Sequence, residues 1–260
     1  MKIVTLIENT TCREDLACEH GLSLYIEVNG RKLLFDAGQS GAFADNAERL
    51  GVDLTAVDTA VLSHGHYDHG GGLPRFLEIN DAAKIYVNRF AFEPHYNAQG
   101  KDIGLAPQLQ KSSRLVFTRG LTHLGDGLAL HTLLCPPADT SELTVLEEGL
   151  LCPEDFRHEQ YLLAEEAGKR ILISGCSHKG ILNILDHFRP DILVGGFHFM
   201  KIEDEAALQA AAEALLQYPT TYYTGHCTGE KQFAYLKNRM GERLHSLSTG
   251  STIELLQPGL

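Results

Sequence analysis

Short apolar runs dominate the first part of the chain, and helical spacing of apolar residues dominates the last third. Lys2 to Ile7 and Leu22 to Val28 read as strands. Lys32 to Phe35 follows the dipeptide Asn29-Gly30, which predicts a tight hairpin because both residues tolerate positive φ. A helix over Phe43 to Leu50 and a buried strand over Thr59-Ala60-Val61-Leu62 come next. From Phe90 to Arg114 the periodicity fades and Asn, Gln, Gly and Pro accumulate, so an insertion at about 90–114 is expected to cover a substrate site. Short strands with turns are expected from Leu115 to Leu134 and from Tyr161 to Ile173, with a turn at Gly168.

A strand-to-helix step then recurs. Ile171-Leu172-Ile173 leads through Ser174-Gly175-Cys176-Ser177-His178 into a helix with Ile181, Ile184, Leu185 and Phe188 on one face. Thr221-Tyr222-Tyr223 leads through Gly225-His226-Cys227 into a helix with Phe233, Leu236 and Met240 inward. Between them, Asp191 to Val194 is a buried strand that runs into Gly195-Gly196-Phe197-His198, and Asp204 to Gln217 is a helix. Strands followed by helices in both halves fit an α/β architecture of two packed β-sheets with helices outside, in a single domain over 1–260. Composition alone leaves a doubly wound sheet open.

The chain has 260 residues, 43% of them hydrophobic, which is enough to bury a sizeable core. Its N-terminus lacks the apolar stretch of a signal peptide, and no apolar run is long enough to span a bilayer, so a cytoplasmic protein without a membrane partner is expected. The cysteines at 12, 18, 135, 152, 176 and 227 form no C-x-x-C pair and read as free thiols. A net charge of -12, with no Lys/Arg cluster longer than a dipeptide, argues against nucleic acid as a partner. A small anionic substrate stays compatible with that charge if bound metal dominates the local field. The oligomeric state is not legible.

His64, His66, Asp68 and His69 lie within six positions, directly after an apolar strand and before Gly70-Gly71-Gly72, which reads as flexible. Imidazoles and a carboxylate at this density suit zinc, iron or manganese. His69-Gly70-Gly71, His178-Lys179-Gly180 and His226-Cys227-Thr228-Gly229 each precede a helix, so three helix ends with unpaired N–H groups are expected to face the site and favour a phosphate or carboxylate. His20, His95, His123, His131, His187 and His245 have no partner at ligand spacing and read as surface or packing residues, and Cys227 is expected to point away from whatever His226 holds.

The run H-x-H-x-D-H after a strand resembles the signature of the metallo-β-lactamase superfamily, and Asp36-Ala37-Gly38 resembles its D-x-G loop. Ser174-Gly175-Cys176-Ser177-His178, Gly195-Gly196-Phe197-His198 and Thr224-Gly225-His226-Cys227-Thr228-Gly229 resemble a subgroup related to ribofuranosylaminobenzene 5′-phosphate synthase of pterin biosynthesis. The resemblance implies an αββα sandwich and two divalent metal ions, zinc in the first place, with manganese or iron as alternatives. One ion would be held by His64, His66 and a third histidine, His178 or alternatively His158. The second would be held by Asp68, His69 and His226. Cys176 stands where the superfamily carries a bridging aspartate, and it is either a thiolate ligand or a small buried filler. His198 is left for substrate contact or proton donation, or for a supporting hydrogen bond. The activity implied is hydrolysis, by a hydroxide activated between the metals and oriented by Asp68, of a small phosphate-bearing ester, as a phosphoesterase or phosphodiesterase would perform. A di-iron redox protein, disfavoured because the chain shows no flavin-binding domain, and a non-hydrolytic pterin-pathway enzyme are the alternatives.

Overall fold

The computed structural model describes residues 1–138 and 142–255. One seven-stranded sheet runs Thr252–Glu254, Lys2–Ile7, Ser23–Val28, Arg31–Phe35, Thr59–Val61, Lys84–Asn88, Leu115–Thr118 from edge to edge. The other runs Leu244–Ser246, Thr221–Thr224, Ile192–Val194, Lys169–Ile173, Tyr161–Glu166, Leu128–His131, Thr122–Gly125. Alternation along the strands sends one set of side chains between the sheets, where Ile3, Leu24, Ile26, Leu33 and Phe35 meet Leu128, Leu130, Leu162, Ile171 and Ile173. The opposite faces are covered by helices. Ala42–Arg49 and Leu73–Ile79 bury Phe43, Ala47, Leu73 and Phe76 against the first sheet. Ile181–Phe188, Glu205–Leu216 and Glu230–Met240 bury Ile184, Leu185, Phe188, Leu215 and Leu236 against the second. The result is the four-layer αββα sandwich expected.

Asn29 and Gly30 both adopt positive φ in the turn between Ser23–Val28 and Arg31–Phe35, as a tight hairpin requires. The helix at Glu205–Leu216 starts where Asp204 accepts a hydrogen bond from the Ala206 N–H at 3.0 Å, and its Leu208, Ala212 and Leu215 are buried. The first helix lies one residue from the sequence reading, at Ala42–Arg49. Leu73–Ile79, Lys84–Asn88 and the hairpin of Thr144–Glu147 with Leu150–Pro153 were not legible, because each is too short to complete a periodic pattern. The insertion at 90–114 holds a two-residue strand, His95–Tyr96, which pairs with Thr144–Glu147, and a 3-10 turn, Pro107–Lys111.

Parallel pairing explains why the chemistry gathers at one end. Arg31–Phe35 and Thr59–Val61 are parallel with Phe35 beside Val61, so Asp36 and Ser63-His64 leave the first sheet side by side. In the second sheet Ile173, Val194 and Tyr223 are in parallel register, so the Cys176, His198 and His226 segments leave along one edge. Gly72 is demanded by packing and is not a flexible hinge: a Cβ there would lie 2.1 Å from the Ala37 carbonyl oxygen and 2.5 Å from that of Ser40. Gly65 is fixed likewise, its Cβ position being 2.2 Å from the Ala91 oxygen. The histidine loop therefore lies flat against Asp36-Ala37-Gly38 on one side and the insertion on the other.

Candidate metal centre

The histidine loop is built around one carboxylate. Asp36, buried and held at φ 59°, accepts hydrogen bonds from the Ser63 N–H, the Ser63 hydroxyl and His69 Nδ1, each at 2.7 Å. Because the hydroxyl proton goes to Asp36, Ser63 Oγ is left to accept from His64 Nδ1 at 2.8 Å. This chain of bonds assigns a proton to Nδ1 of both His64 and His69 and leaves each Nε2 with a lone pair. His64 Nε2 and His66 Nε2 are buried with no hydrogen-bond partner, a costly arrangement unless something electrophilic sits there.

His226 is oriented from the opposite sheet. It donates from Nδ1 to Asn9 Oδ1 at 2.9 Å, so its Nε2 is also a lone pair, and that atom lies 3.1 Å from His69 Nε2. Asp68 Oδ2 is 3.3 Å from His226 Nε2 and 3.7 Å from His69 Nε2. Two lone pairs and a carboxylate facing one another in a buried space are held together by a shared cation: a metal ion, or a proton on His69. Burial alone would lower the His69 pKa, but the Asp36 and Asp68 carboxylates outweigh it and push it up to about 9. Burial would also raise the Asp68 carboxyl, but His69, His20 and His226 hold it well below its usual range. His64, His66 and His178 are driven well below the ordinary imidazole value, burial being the first cause in each and neighbouring histidines a further one. They are thus neutral ligands in waiting.

His178 stands with this group. Its ring centroid is 5.1 Å from that of His64 and 5.2 Å from that of His66, and the latter two are 4.6 Å apart. Cys176 Sγ is 3.2 Å from His69 Nε2, and it joins three clusters whose ligand atoms lie within 4.8 Å of one another: His64 and His178, His69 and His226, His198 and Cys227. A filler would face the apolar core, whereas this sulfur occupies the middle of the donor set, so the position favours a ligand. Its thiol is raised well above the usual value, by burial first and by Cys227 second. His198, at φ 57°, lies at the same edge with its ring 4.3 Å from that of His178.

Several sequence readings are corrected. His158 accepts the Gly65 N–H at Nδ1, 2.7 Å, and its buried Nε2 lies 3.6 Å from Glu154 without a hydrogen-bond partner; with His66, His95 and Glu154 it forms a further group whose ligand atoms lie within 4.8 Å of one another. It supports the loop, together with Glu154 and His95, whose Nδ1 lies 2.6 Å from the Glu154 carboxylate. His95 is therefore a fully buried member of the layer behind His66, not an isolated packing residue. His20 is not isolated either: its Nε2 is 3.3 Å from Asp68 Oδ2 and its ring lies 4.7 Å from that of His226. No motif signals either histidine, since both reach the site by tertiary packing. Cys227 lies outside the His226 cluster but faces Cys176 and His198. His123, His131, His187 and His245 lie at exposed or half-buried positions away from the cluster.

The backbone N–H groups just ahead of the helices are taken up within the protein. The N–H groups of His178 and Lys179 donate to the buried Glu159 carboxylate at 2.8 and 3.0 Å, and the His226 N–H donates to Glu8. Those of Gly70, Gly71 and Gly72 go to the carbonyls of His66, Tyr67 and Gly38. These occupied groups precede the helices, which start at Leu73, Ile181 and Glu230. Beside the clustered histidines lies a cleft of about 170 Å³, lined by His20, Asp68, Cys176, His198 and His226, with Tyr67, Ile103 and Leu143 also on its walls. The Tyr67 N–H donates to the Ile103 carbonyl at 2.9 Å, which ties the insertion to the histidine loop.

An αββα sandwich with clustered His, Asp and Cys side chains at one edge of its two sheets is the architecture of a metal-dependent hydrolase fold. The metallo-β-lactamase superfamily model matches residues 17–149, and the chain belongs to that superfamily. It is 29% identical over 245 residues, 90% of this chain and 93% of the relative, to an uncharacterised protein of Methanocaldococcus jannaschii. It is 28% identical over 283 aligned positions, 98% of this chain and 96% of the relative, to 7,8-dihydropterin-6-methyl-4-(β-D-ribofuranosyl)-aminobenzene-5′-phosphate synthase of the same organism. Among solved structures, Tm1679, described as a metal-dependent hydrolase of the β-lactamase superfamily, superposes with a TM-score of 0.84 at 27% identity, covering 99% of this chain and all of that one. Zinc-bound PqqB from Methylobacterium extorquens shares the fold, with a TM-score of 0.59 at 12% identity over 98% of this chain and 100% of that one. No helix among the described residues is long and apolar enough to cross a membrane.

A pH dependence of metal uptake follows from the geometry. At neutral pH the metal-free His69, with its pKa near 9, carries the proton that a metal would displace, and a thiol at Cys176 would lose one on ligation. The expected result is release of about two protons per chain on zinc uptake at pH 7, read by calorimetry in buffers of different ionisation enthalpy, and about one in Cys176→Ala. Apparent affinity should rise with pH until His69 titrates near 9 and lose that slope above it. No net proton release would contradict the assignment.

Proposed function

We propose that this chain is a dinuclear metal hydrolase acting on a small anionic ester, with phosphate-bearing substrates preferred. The observation that carries the reading is the facing of His69 Nε2 and His226 Nε2 beside Asp68, next to the buried lone pairs of His64 and His66. His64, His66 and His178 would hold one ion, and Asp68, His69 and His226 the other, with Cys176 between them where a bridging aspartate is usual. Zinc suits this donor set, the thiolate adding to its preference over manganese. When bound, such a pair supplies Lewis acidity and a water ionised near neutral pH.

The chain's own residues do the rest. Asp68, kept ionised by its histidine neighbours, accepts and orients the proton of the attacking water. His198, reaching the cleft without belonging to either proposed metal set, donates a proton to the leaving oxygen. Tyr67, Ile103 and Leu143 limit the entry of bulk water. Net charge is negative over the whole molecule, so attraction of an anion depends chiefly on the metal ions themselves.

The test is turnover of a panel of phosphomonoesters, phosphodiesters and lactones by the zinc- or manganese-loaded protein before and after chelation. Chelator-sensitive hydrolysis that returns with metal supports the reading. Full metal loading without hydrolysis of any panel member would overturn it. A second reading, a non-hydrolytic synthase of the pterin pathway, is favoured by the Methanocaldococcus relative named as a dihydropterin–ribofuranosylaminobenzene phosphate synthase, which aligns with 98% of this chain. Loaded protein that is inert towards esters but joins a dihydropterin-6-methyl diphosphate to the amino group of ribofuranosylaminobenzene 5′-phosphate, releasing diphosphate and a proton, would establish it.

A further inference from the structure

The cleft over the candidate metal centre is too small for a whole organic substrate, yet His198 lines a second and larger space. That cavity, of about 560 Å³, lies between the start of helix Ile181–Phe188, the face of helix Glu205–Leu216 and the loop that carries His198. Its walls are mostly apolar: Ile181, Leu182, Phe197, Phe199, Ala211 and Leu215. Phe197 is locked by edge-on contacts with Phe199 at 5.7 Å and Tyr222 at 5.8 Å, so the wall is preformed. Leu182 leaves 38% of its surface exposed at the mouth, an apolar exposure that the fold does not require. Lys201, at the rim, has no ion-pair partner among the described residues, although acidic residues outnumber basic ones by 34 to 22 in the chain.

His198 faces both spaces, the small cleft with Asp68 and His226 and the large cavity with Phe197 and Lys201. A molecule whose reacting group sits in the first can place its remainder in the second; a space of about 900 Å³ also borders the cleft through His226 and Met200, but Glu8, Glu203, Glu205 and Glu230 on its walls would repel an anion. Volume and lining match an organic ring system, since binding pockets of about 300 to 1,000 Å³ with apolar walls and a few polar groups are the usual receptors for such ligands. We infer that this cavity binds the non-reacting part of the substrate, and that the substrate is therefore an organic anion bearing a ring-sized apolar group, not a small aliphatic or inorganic ester. The inference rests on the hydrolase reading and narrows its substrate class. Lys201 would attract the anion at the rim.

The experiment compares binding of 1-naphthyl phosphate and methyl phosphate, which share a head group, to the zinc-loaded protein by calorimetry, with hydrolysis of both followed in parallel. Burial of the ring is expected to make 1-naphthyl phosphate bind at least about 30-fold tighter. Ala211→Trp, which fills the cavity, should reduce that advantage to less than about threefold while methyl phosphate binding is retained, which also shows that the variant is folded. Lys201→Ala, at an exposed position, should weaken 1-naphthyl phosphate by about threefold. Equal affinity for the two esters, failure of both to bind, or a naphthyl advantage that survives Ala211→Trp would overturn the inference. Turnover without a naphthyl preference would sink the cavity and spare the hydrolase, and a naphthyl preference without turnover would do the reverse.

Discussion

Asp68→Ala is expected to lower turnover of any ester the protein hydrolyses at least about a thousandfold and to strip one metal from the chain. Asp68 is the carboxylate within 3.3 Å of both His20 Nε2 and His226 Nε2, beside a cluster of imidazoles and thiols. Without it a divalent cation there meets only neutral nitrogens and one sulfur, and nothing takes the proton from the attacking water. Asp68→Asn keeps the volume and one oxygen but not the charge, so it should fail almost as completely. Fold stability should change far less than activity, because the side chain lies at the wall of an open cleft and makes no hydrogen bond to the core. Steady-state rates, metal analysis and thermal melting on the same preparations separate the three effects. Retention of more than a tenth of wild-type turnover in Asp68→Ala, with metal intact, would remove Asp68 from the mechanism.

The second large effect is at Asp36, which touches no substrate. Its carboxylate satisfies the Ser63 N–H, the Ser63 hydroxyl and His69 Nδ1, all fully buried. Asp36→Ala leaves these donors unpaired in the interior and frees His64 and His69 to change tautomer. Stranding buried donors together with a charged partner costs about 3–5 kcal/mol, which for a chain of this size lowers Tm by about 10 °C or more. Metal affinity should fall about 10- to 100-fold, the usual consequence of losing a group that orients a ligating histidine. Asp36→Asn should rescue little, because its amide cannot accept from three donors at once. A melting curve that barely moves would show that the loop is held by something else.

The architecture and half of the centre were legible from sequence because they rest on local chemistry. The hairpin turn at Asn29-Gly30, the strand before His64 and the strand-to-helix steps at Cys176 and His226 are written in consecutive residues. His64, His66, Asp68 and His69 declare themselves by spacing alone. What was not legible depends on distance in space. His20 and His95 carry no motif, yet the hairpin carrying Thr144–Glu147 and the fold of the insertion bring His95 and Glu154 behind His66. The choice between His178 and His158 was open in the sequence, and tertiary packing sets each in its own group of facing donors, His178 with His64 and Cys176, His158 with His66, His95 and Glu154. The acceptors of the N–H groups ahead of the helix ends were hidden for a similar reason. Helix termini are visible in sequence, but the carboxylates of Glu159 and Glu8 that occupy the neighbouring N–H groups come from distant strands and loops. Glycines in a row suggested flexibility, whereas at Gly72 the neighbouring carbonyls simply leave no room for a Cβ.

The most direct measurement is metal stoichiometry of the purified protein after reconstitution, by mass spectrometry of the bound elements, for wild type and His226→Ala. Two divalent ions per chain in the wild type, falling to about one in the variant, is the result the two-centre account predicts. Fewer than one ion per chain in fully reconstituted wild type, or two ions undiminished in His226→Ala, would contradict it.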